Sequence, residues 1–337
     1  MVTMKDIAKA CQVSVATVSK ALNAYSDIGA ETREKIKAKA EEMGYYPNSS
    51  ARALKTKRTY NLGVLFVDEA SSGLTHDFFS HVLESFKKTA EFRGYDITFT
   101  SNRSGFGKMS YLEHCRYRGV DGVVIACIDF QDPSVQELVF SDLPIVTIDH
   151  VFDNRISVVS DNFHGMQELL EYVLAMGHRK IAYIHGADSS VTRARLNCFY
   201  HTMSNLGIQV PDEYDRLCPY RDVTEAGTQT EFLMKLPDPP TCILYPDDLS
   251  AIGGISVLTQ MGLKIGEDIS IAGYDGIFVA GRLNPPITTV VQDTESIGRT
   301  AAEKLISLIE NPKATIIERI LVPGRLEKGG SVARIGE

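Results

Sequence analysis

The sequence predicts a small all-α headpiece followed by two doubly wound α/β lobes. Three observations carry that expectation. Met4–Asn23 fits two short helices joined by a tight turn, with apolar residues spaced to meet between them. From Asn61 onward, near-continuous apolar runs alternate with helical stretches, the pattern of parallel strands buried on both faces. The 337 residues, 44% hydrophobic and 23% charged, suffice for a headpiece and a two-part body of ordinary globular composition.

In the headpiece, Thr3 with Asp6 three residues on fits a capping box, and Ser14 fits the cap of a second helix running to Asn23. Ile7, Ala8, Val13, Val18 and Leu22 fall between the two helices. The opposite face of the second helix offers Val15, Ala16, Thr17, Ser19 and Lys20, small or basic side chains suited to lying against a groove. That is a helix-turn-helix with a reading helix; two helices alone also fit an ordinary helical hairpin. A third helix is expected from about Ala30 to Met43, with Gly29 as a tolerable cap and Gly44 closing it in the left-handed conformation. Pro47 then breaks the chain before a short segment, Ser49–Lys55, too short to be a stable helix alone in water.

The net charge of −8 is unevenly distributed. Residues 1–58 hold eleven Lys and Arg against six Asp and Glu, a surplus of +5, which leaves −13 for the remainder. A basic end that coincides with a helix-turn-helix suits phosphate binding, and the acidic body discourages it elsewhere. A solvated helix face is the plainer reading of a basic segment.

Met4–Asn23, Glu31–Ile36, Tyr46-Pro47-Asn48 and Ala51-Arg52-Ala53-Leu54 resemble the DNA-binding headpiece of the lactose/galactose repressor family. Gln12 departs from the pattern, standing in the turn where the family often has Gly. The resemblance continues through Asp161-Asn162 with Gly165, Met176–Ile181, Asp247-Asp248 with Ala251 and Gly253, Ser270–Asp275, and Pro286–Thr289 with Gln292, covering nearly the whole chain. In Arg195–Phe199, Cys198 replaces a Gly, and Asp247 replaces an Asn.

The resemblance implies a headpiece over 1–47, a hinge over 48–59 that is helical only on operator DNA, and a body over 60–337 with the fold of periplasmic sugar-binding proteins. Lobe one would span about 60–159 and 291–321, and lobe two about 160–290 and 322–337. It implies DNA contacts from Thr3, Ser14, Val15, Ala16, Thr17, Ser19, Lys20 and Asn23, and from Arg52, Leu54 and Lys55 in the hinge. Leu54 matches the family's minor-groove wedge; packing on the body is the alternative for a leucine there. Implied effector contacts are Phe78, Phe79, Asp149, Arg195, Asp247, Asp275 and Gln292.

The residues support that ligand site on their own terms. Asp149, Asp247 and Asp275 each follow a predicted strand, at the carboxyl edge where such folds bind ligands. Carboxylates and an arginine offer acceptors and forked donors for vicinal hydroxyls, and Phe78 and Phe79 an apolar wall. Taken singly, each aspartate is as well explained by a helix cap. With Arg195 as the cation, the balance favours a neutral sugar.

No catalytic signature is present, whether G-x-S-x-G, H-E-x-x-H, Walker A or a strand-borne G-x-G-x-x-G, so the expectation is no enzyme and no cofactor. The six cysteines contain no C-x-x-C, which makes a disulfide frame or metal site improbable. The first residues hold no apolar signal core and no run spans a bilayer, so a cytoplasmic protein is expected. The reading is a homodimeric, sequence-specific repressor of transcription that binds near-palindromic double-stranded DNA and is controlled by a small effector. A solute-binding protein of the same fold is the alternative, and a sugar-modifying enzyme a third.

Overall fold

The computed structural model describes residues 2–22, 27–46, 58–67, 73–104 and 107–335. Asn23, Arg52, Leu54 and Lys55, and with them most of the expected hinge, lie outside the described residues. The chain separates into two compact units, Met1–Thr59 and Tyr60–Glu337.

The first unit is three helices, α1 (Met4–Cys11), α2 (Val15–Leu22) and α3 (Ala30–Glu42). The Asp6 carboxylate accepts from both the Thr3 N–H (2.9 Å) and the Thr3 hydroxyl (2.7 Å), which fixes the start of α1. Ser14 Oγ accepts the Thr17 N–H at 3.0 Å and so caps α2. Gln12 ends α1 at φ 55°, the left-handed region that glycine enters without a side-chain clash. At the end of α3, Gly44 takes φ 64° while the Tyr45 N–H reaches back to the Ala40 carbonyl and the Gly44 N–H to that of Glu41. Ile7, Ala8, Val18 and Ile36 meet in the core, as their spacing implies; Cys11, Ala21 and Ala40 complete it, with Val13 and Leu22 at its edge.

In the second unit, lobe one opens with β1 (Asn61–Phe66), α4 (Asp77–Phe92), β2 (Asp96–Phe99) and a small hairpin, β3 (Arg103–Ser104) with β4 (Gly107–Lys108). It continues through α5 (Tyr111–Arg118), β5 (Gly122–Ala126), α6 (Pro133–Val139), β6 (Ile145–Ile148) and β7 (Ile156–Ser160). Lobe two holds α7 (Asn162–Ala175), β8 (Ile181–His185), α8 (Ser190–Asn205), β9 (Asp215–Leu217), α9 (Val223–Met234), β10 (Cys242–Leu244), α10 (Asp248–Gln260) and β11 (Ser270–Ala272). The chain then runs through β12 (Thr289–Val291), α11 (Thr294–Glu310), β13 (Arg319–Val322) and β14 (Arg325–Glu327).

The lobe-one sheet is parallel throughout, in the order β13-β7-β6-β5-β1-β2. Its two faces explain the unbroken apolar strands. Leu62 and Val64 pack with Val82 and Phe86 of α4 and Leu305 of α11, while Leu65 and Ile125 pack with Leu112 and Leu138 on the other side. Gly298 lets α11 approach α4 closely, since a Cβ there would stand 2.1 Å from the Val82 carbonyl oxygen. The lobe-two sheet, also parallel, runs β11-β10-β8-β9, with Leu169 and Phe199 covering one face and Ala226, Leu233 and Leu258 the other. β12 and β14 form an antiparallel ribbon, Val290 opposite Leu326. The chain therefore passes between the lobes three times: after β7, between β12 and α11, and between β13 and β14.

Candidate functional site

The exposed face of α2 is the first candidate. Ser14, Val15, Ala16 and Lys20 are exposed, as is Thr3 at the start of α1, while Thr17 and Ser19 are half-buried. Val15, an apolar β-branched residue with 41% of its surface open, has no part in the headpiece core. The Ser14 and Thr17 hydroxyls bond each other at 2.8 Å, and Lys20 pairs with Asp27. That pair holds the Asp27 carboxyl below its usual range. Both partners are about half exposed, so the pair is weak.

The second candidate is the cleft within the second unit, at the carboxyl ends of the strands. Asp275 lies three residues beyond β11 with φ 100°. Its N–H donates to the Val290 carbonyl at 2.9 Å, and its Oδ1 accepts the Gln292 side-chain amide at 2.6 Å. Burial pushes the Asp275 carboxyl up to about 6, against the opposing charge of Arg195. Gln292 is 8% exposed, and its Oε1 has no protein partner among the described residues.

Asp149 follows β6 at φ 56°; its Oδ1 accepts the Ser160 N–H at 2.9 Å, and its carbonyl accepts the Ser190 hydroxyl at 2.6 Å, tying lobe one to α8 of lobe two. Burial raises its carboxyl as well. Arg195, on α8, is 2% exposed. Its Nε donates to Asn162 Oδ1 and its Nη1 to the Pro246 carbonyl, each at 2.8 Å, and its guanidinium lies 3.4 Å from the centroid of the Tyr274 ring. Burial works against its charge, but the surrounding tyrosines and Asp275 outweigh that, so the pKa is raised overall. Asp247 caps α10: its Oδ1 accepts the Ser250 N–H, and its Oδ2 accepts the Ser250 hydroxyl (both 2.9 Å) and the Arg221 N–H (2.8 Å). Its neighbour Asp248 is fully enclosed, its carboxyl held well above the normal range by burial and by Asp275, while Oδ2 accepts the Ile277 N–H at 2.9 Å.

Two adjoining cavities, which share Asp77, Phe78, Asp275 and Ile277, occupy the cleft. The inner, of about 10 Å³, is lined also by Arg221 and Asp247; the outer, of about 130 Å³, also by His81, Phe278 and Gln292. Of the seven effector residues expected from sequence, Phe78, Asp247, Asp275 and Gln292 line this space. Asp149 and Arg195 are not among the residues that line it; they bond Ser160, Asn162 and Pro246. Phe79 is not among the residues lining this space; its ring meets Phe78 edge-on at 4.9 Å and Phe66 at 5.5 Å between centroids, against the lobe-one core. Arg195 is not the only cation at the cleft, because Arg221 lines the inner cavity. The signal for Arg221 was its place just past the carboxyl end of β9, a three-residue strand too short to stand out in the sequence.

The family described as bacterial regulatory proteins, lacI family, matches residues 3–48, and the periplasmic binding protein-like domain matches residues 170–332. The probable HTH-type transcriptional repressor ExuR of Bacillus subtilis (strain 168) is 29% identical over 338 residues, covering 99% of each chain. The chain carries a lacI-family DNA-binding domain followed by a periplasmic binding protein-like domain. The ribose operon repressor of Escherichia coli (strain K12) is 28% identical over 336 residues, covering 98% of this chain and all of the relative. The lac repressor dimer, solved bound to operator and the anti-inducer ONPF, is 28% identical with a TM-score of 0.81, covering 98% of this chain and 99% of that one. With a lacI-type DNA-binding domain and a ligand-binding domain in one polypeptide, this chain is a ligand-controlled transcriptional repressor. No enzymatic family is indicated, and among the described residues no helix is long and apolar enough to cross a membrane.

Proposed function

We propose that the protein acts in the cytoplasm as a homodimer on near-palindromic operator DNA, and that a neutral sugar or sugar alcohol bound between the lobes adjusts its operator affinity. In this reading Val15 and Ala16 meet thymine methyls and Lys20 reaches guanine. Thr3, Ser14, Thr17, Ser19 and Asn23 approach the backbone and base edges, and the hinge folds into the minor groove with Leu54 as its wedge between Arg52 and Lys55. Ligand-dependent closure of the lobes is the coupling between the two sites.

The observation that carries the ligand class is the pairing of Asp275 with Gln292 on the cavity wall. A buried amide oxygen without a protein partner, beside a carboxylate, calls for hydrogen-bond donors. Hydroxyls supply them without adding negative charge next to Asp149, Asp247 and Asp275. Arg195 is already bonded to Asn162 and Pro246, so it supports the wall and does not recruit an anion. A lacI-family regulator from Enterococcus faecium, 25% identical with a TM-score of 0.70, was solved with bound ribose, in keeping with this class. Calorimetry against neutral pentoses, hexoses and their phosphates tests the reading. Binding of a neutral sugar that also changes a mobility shift on genomic DNA is expected; tight binding of a phosphorylated sugar with its neutral parent inert overturns it.

A further inference from the structure

Asp77 and Arg221 face each other from the two lobes across the inner cavity. Asp77 is the first residue of α4, and Arg221 lies in the loop before α9. Arg221 Nη2 stands 4.0 Å from Asp77 Oδ2, and both residues line the cavity beside Asp247 and Asp275. The arginine is built into this position. Its side chain is only 13% exposed, and its backbone sits at φ 64°, a region that an L-residue occupies when its surroundings hold it there. Its own N–H donates to Asp247 Oδ2. Tyr220 before it bonds Thr192 at 2.9 Å between hydroxyls, and Asp222 after it caps α9 through the Thr224 and Glu225 N–H groups.

We propose that Asp77 is a specificity-determining residue of the cleft, an internal carboxylate that occupies the anion-binding side of Arg221 and so excludes acidic ligands. The inference rests on the neutral-ligand reading given above. A guanidinium in a concave site matches a carboxylate or phosphate by geometry and charge. Without the Asp77 carboxylate beside it, the positive charge of Arg221 would favour uronic acids and sugar phosphates in the cleft. With Asp77 opposite, an arriving anion must displace one carboxylate while approaching another, Asp275. A hydroxyl meets no such opposition. Selectivity here comes from a repulsive element, as sites that must reject a close analogue commonly arrange it.

The test uses the full chain with inorganic phosphate as a ligand-independent probe, read by thermal shift, and paired neutral hexoses and uronic acids, read by calorimetry. Asp77→Ala should raise affinity for phosphate and for uronic acids about five- to tenfold, the scale of one partly screened charge pair. Neutral sugars should change by less than about threefold. Adding Arg221→Gln should abolish the gain; that variant keeps the backbone N–H that bonds Asp247. An Asp77→Ala protein with unchanged selectivity, or a gain that persists without Arg221, overturns the proposal and leaves neutral-sugar binding by the wild type standing. Wild-type protein that binds uronic acids and ignores neutral hexoses overturns both.

Discussion

The exposed face of α2 and the wall of the cleft solve the problem of holding polar groups for a partner in opposite ways. On α2 the groups are small, open and lightly bonded: a hydroxyl pair between Ser14 and Thr17, and a half-exposed ion pair between Lys20 and Asp27. In the cleft they are enclosed and bonded to one another: Asp247 serves a helix cap and a loop, Arg195 a carbonyl and an amide, Asp275 a glutamine. The difference teaches where substitution acts. On α2 it should change recognition and leave the fold alone; in the cleft, recognition and stability share the same atoms.

The largest effect that would break this contrast comes from Arg195. Arg195→Ala leaves the Asn162 amide oxygen and the Pro246 carbonyl unpaired in a closed space, and should cost about 3–5 kcal/mol of stability by urea unfolding. A loss confined to ligand affinity would mean that the residue is a contact and not a support. Asp275→Ala should lower effector affinity by a hundredfold or more, on the order of 3 kcal/mol, while a mobility shift shows operator binding intact. Lys20→Ala should cost about 1–3 kcal/mol at one base position per half-site, with no change in melting temperature. A drop in melting temperature would place Lys20 in the fold.

Asp275 also predicts a pH dependence whose sign is fixed by its direction of shift. Burial raises its folded value to about 6 from an unfolded 3.8, so the folded chain binds this proton more readily. Its contribution to stability is therefore largest below pH 3.8 and is lost as pH rises through about 6, a change of about 1–3 kcal/mol. Denaturation midpoints measured between pH 4 and 7 should show that slope, and Asp275→Asn should flatten it. The smallest effect is Gln12→Gly. It should stabilise the headpiece by about 0.5–1 kcal/mol, because glycine takes φ 55° without a side-chain clash.

The α2 face was legible in sequence because a helix exposes its residues by a fixed angular step: once Val18 is assigned to the core, the outward placement of Ala16 and Lys20, two residues to either side, follows. The fold was legible for a similar reason. Val123, Val124 and Ile125 announce a strand buried on both faces, as β5 is. The short or polar elements were not foreseen. α9 carries Thr, Glu and Gln at half of its positions and α6 is only seven residues long, so neither presents a clear apolar period. In the cleft, position after a strand pointed to Asp275 but could not separate a cap from a contact. Asp247 has the side chain for either role, and only the Ser250 and Arg221 N–H groups around it show what its oxygens already do. The role of Arg221 stays open in the sequence because its position depends on a backbone bend, at φ 64°, that composition does not encode.

The three passages between the lobes also bear on how a ribosome delivers this protein. Lobe one lacks β13 and α11 until residues 294–322 have been made. Lobe two is no better placed, since Val332 belongs to its core, the Ile271 N–H donates to the Ser331 carbonyl, and Ser331 Oγ is bonded to both Ile271 and Thr288. Neither lobe can close while the chain is still being extended through β12, so both exit the tunnel with an open flank. The headpiece, whose core comes entirely from residues 2–45, carries no such debt and can fold while the rest is unsynthesised. A nascent chain arrested near residue 200 should therefore already protect Ile7 and Val18 from exchange while leaving β1 and β5 exposed.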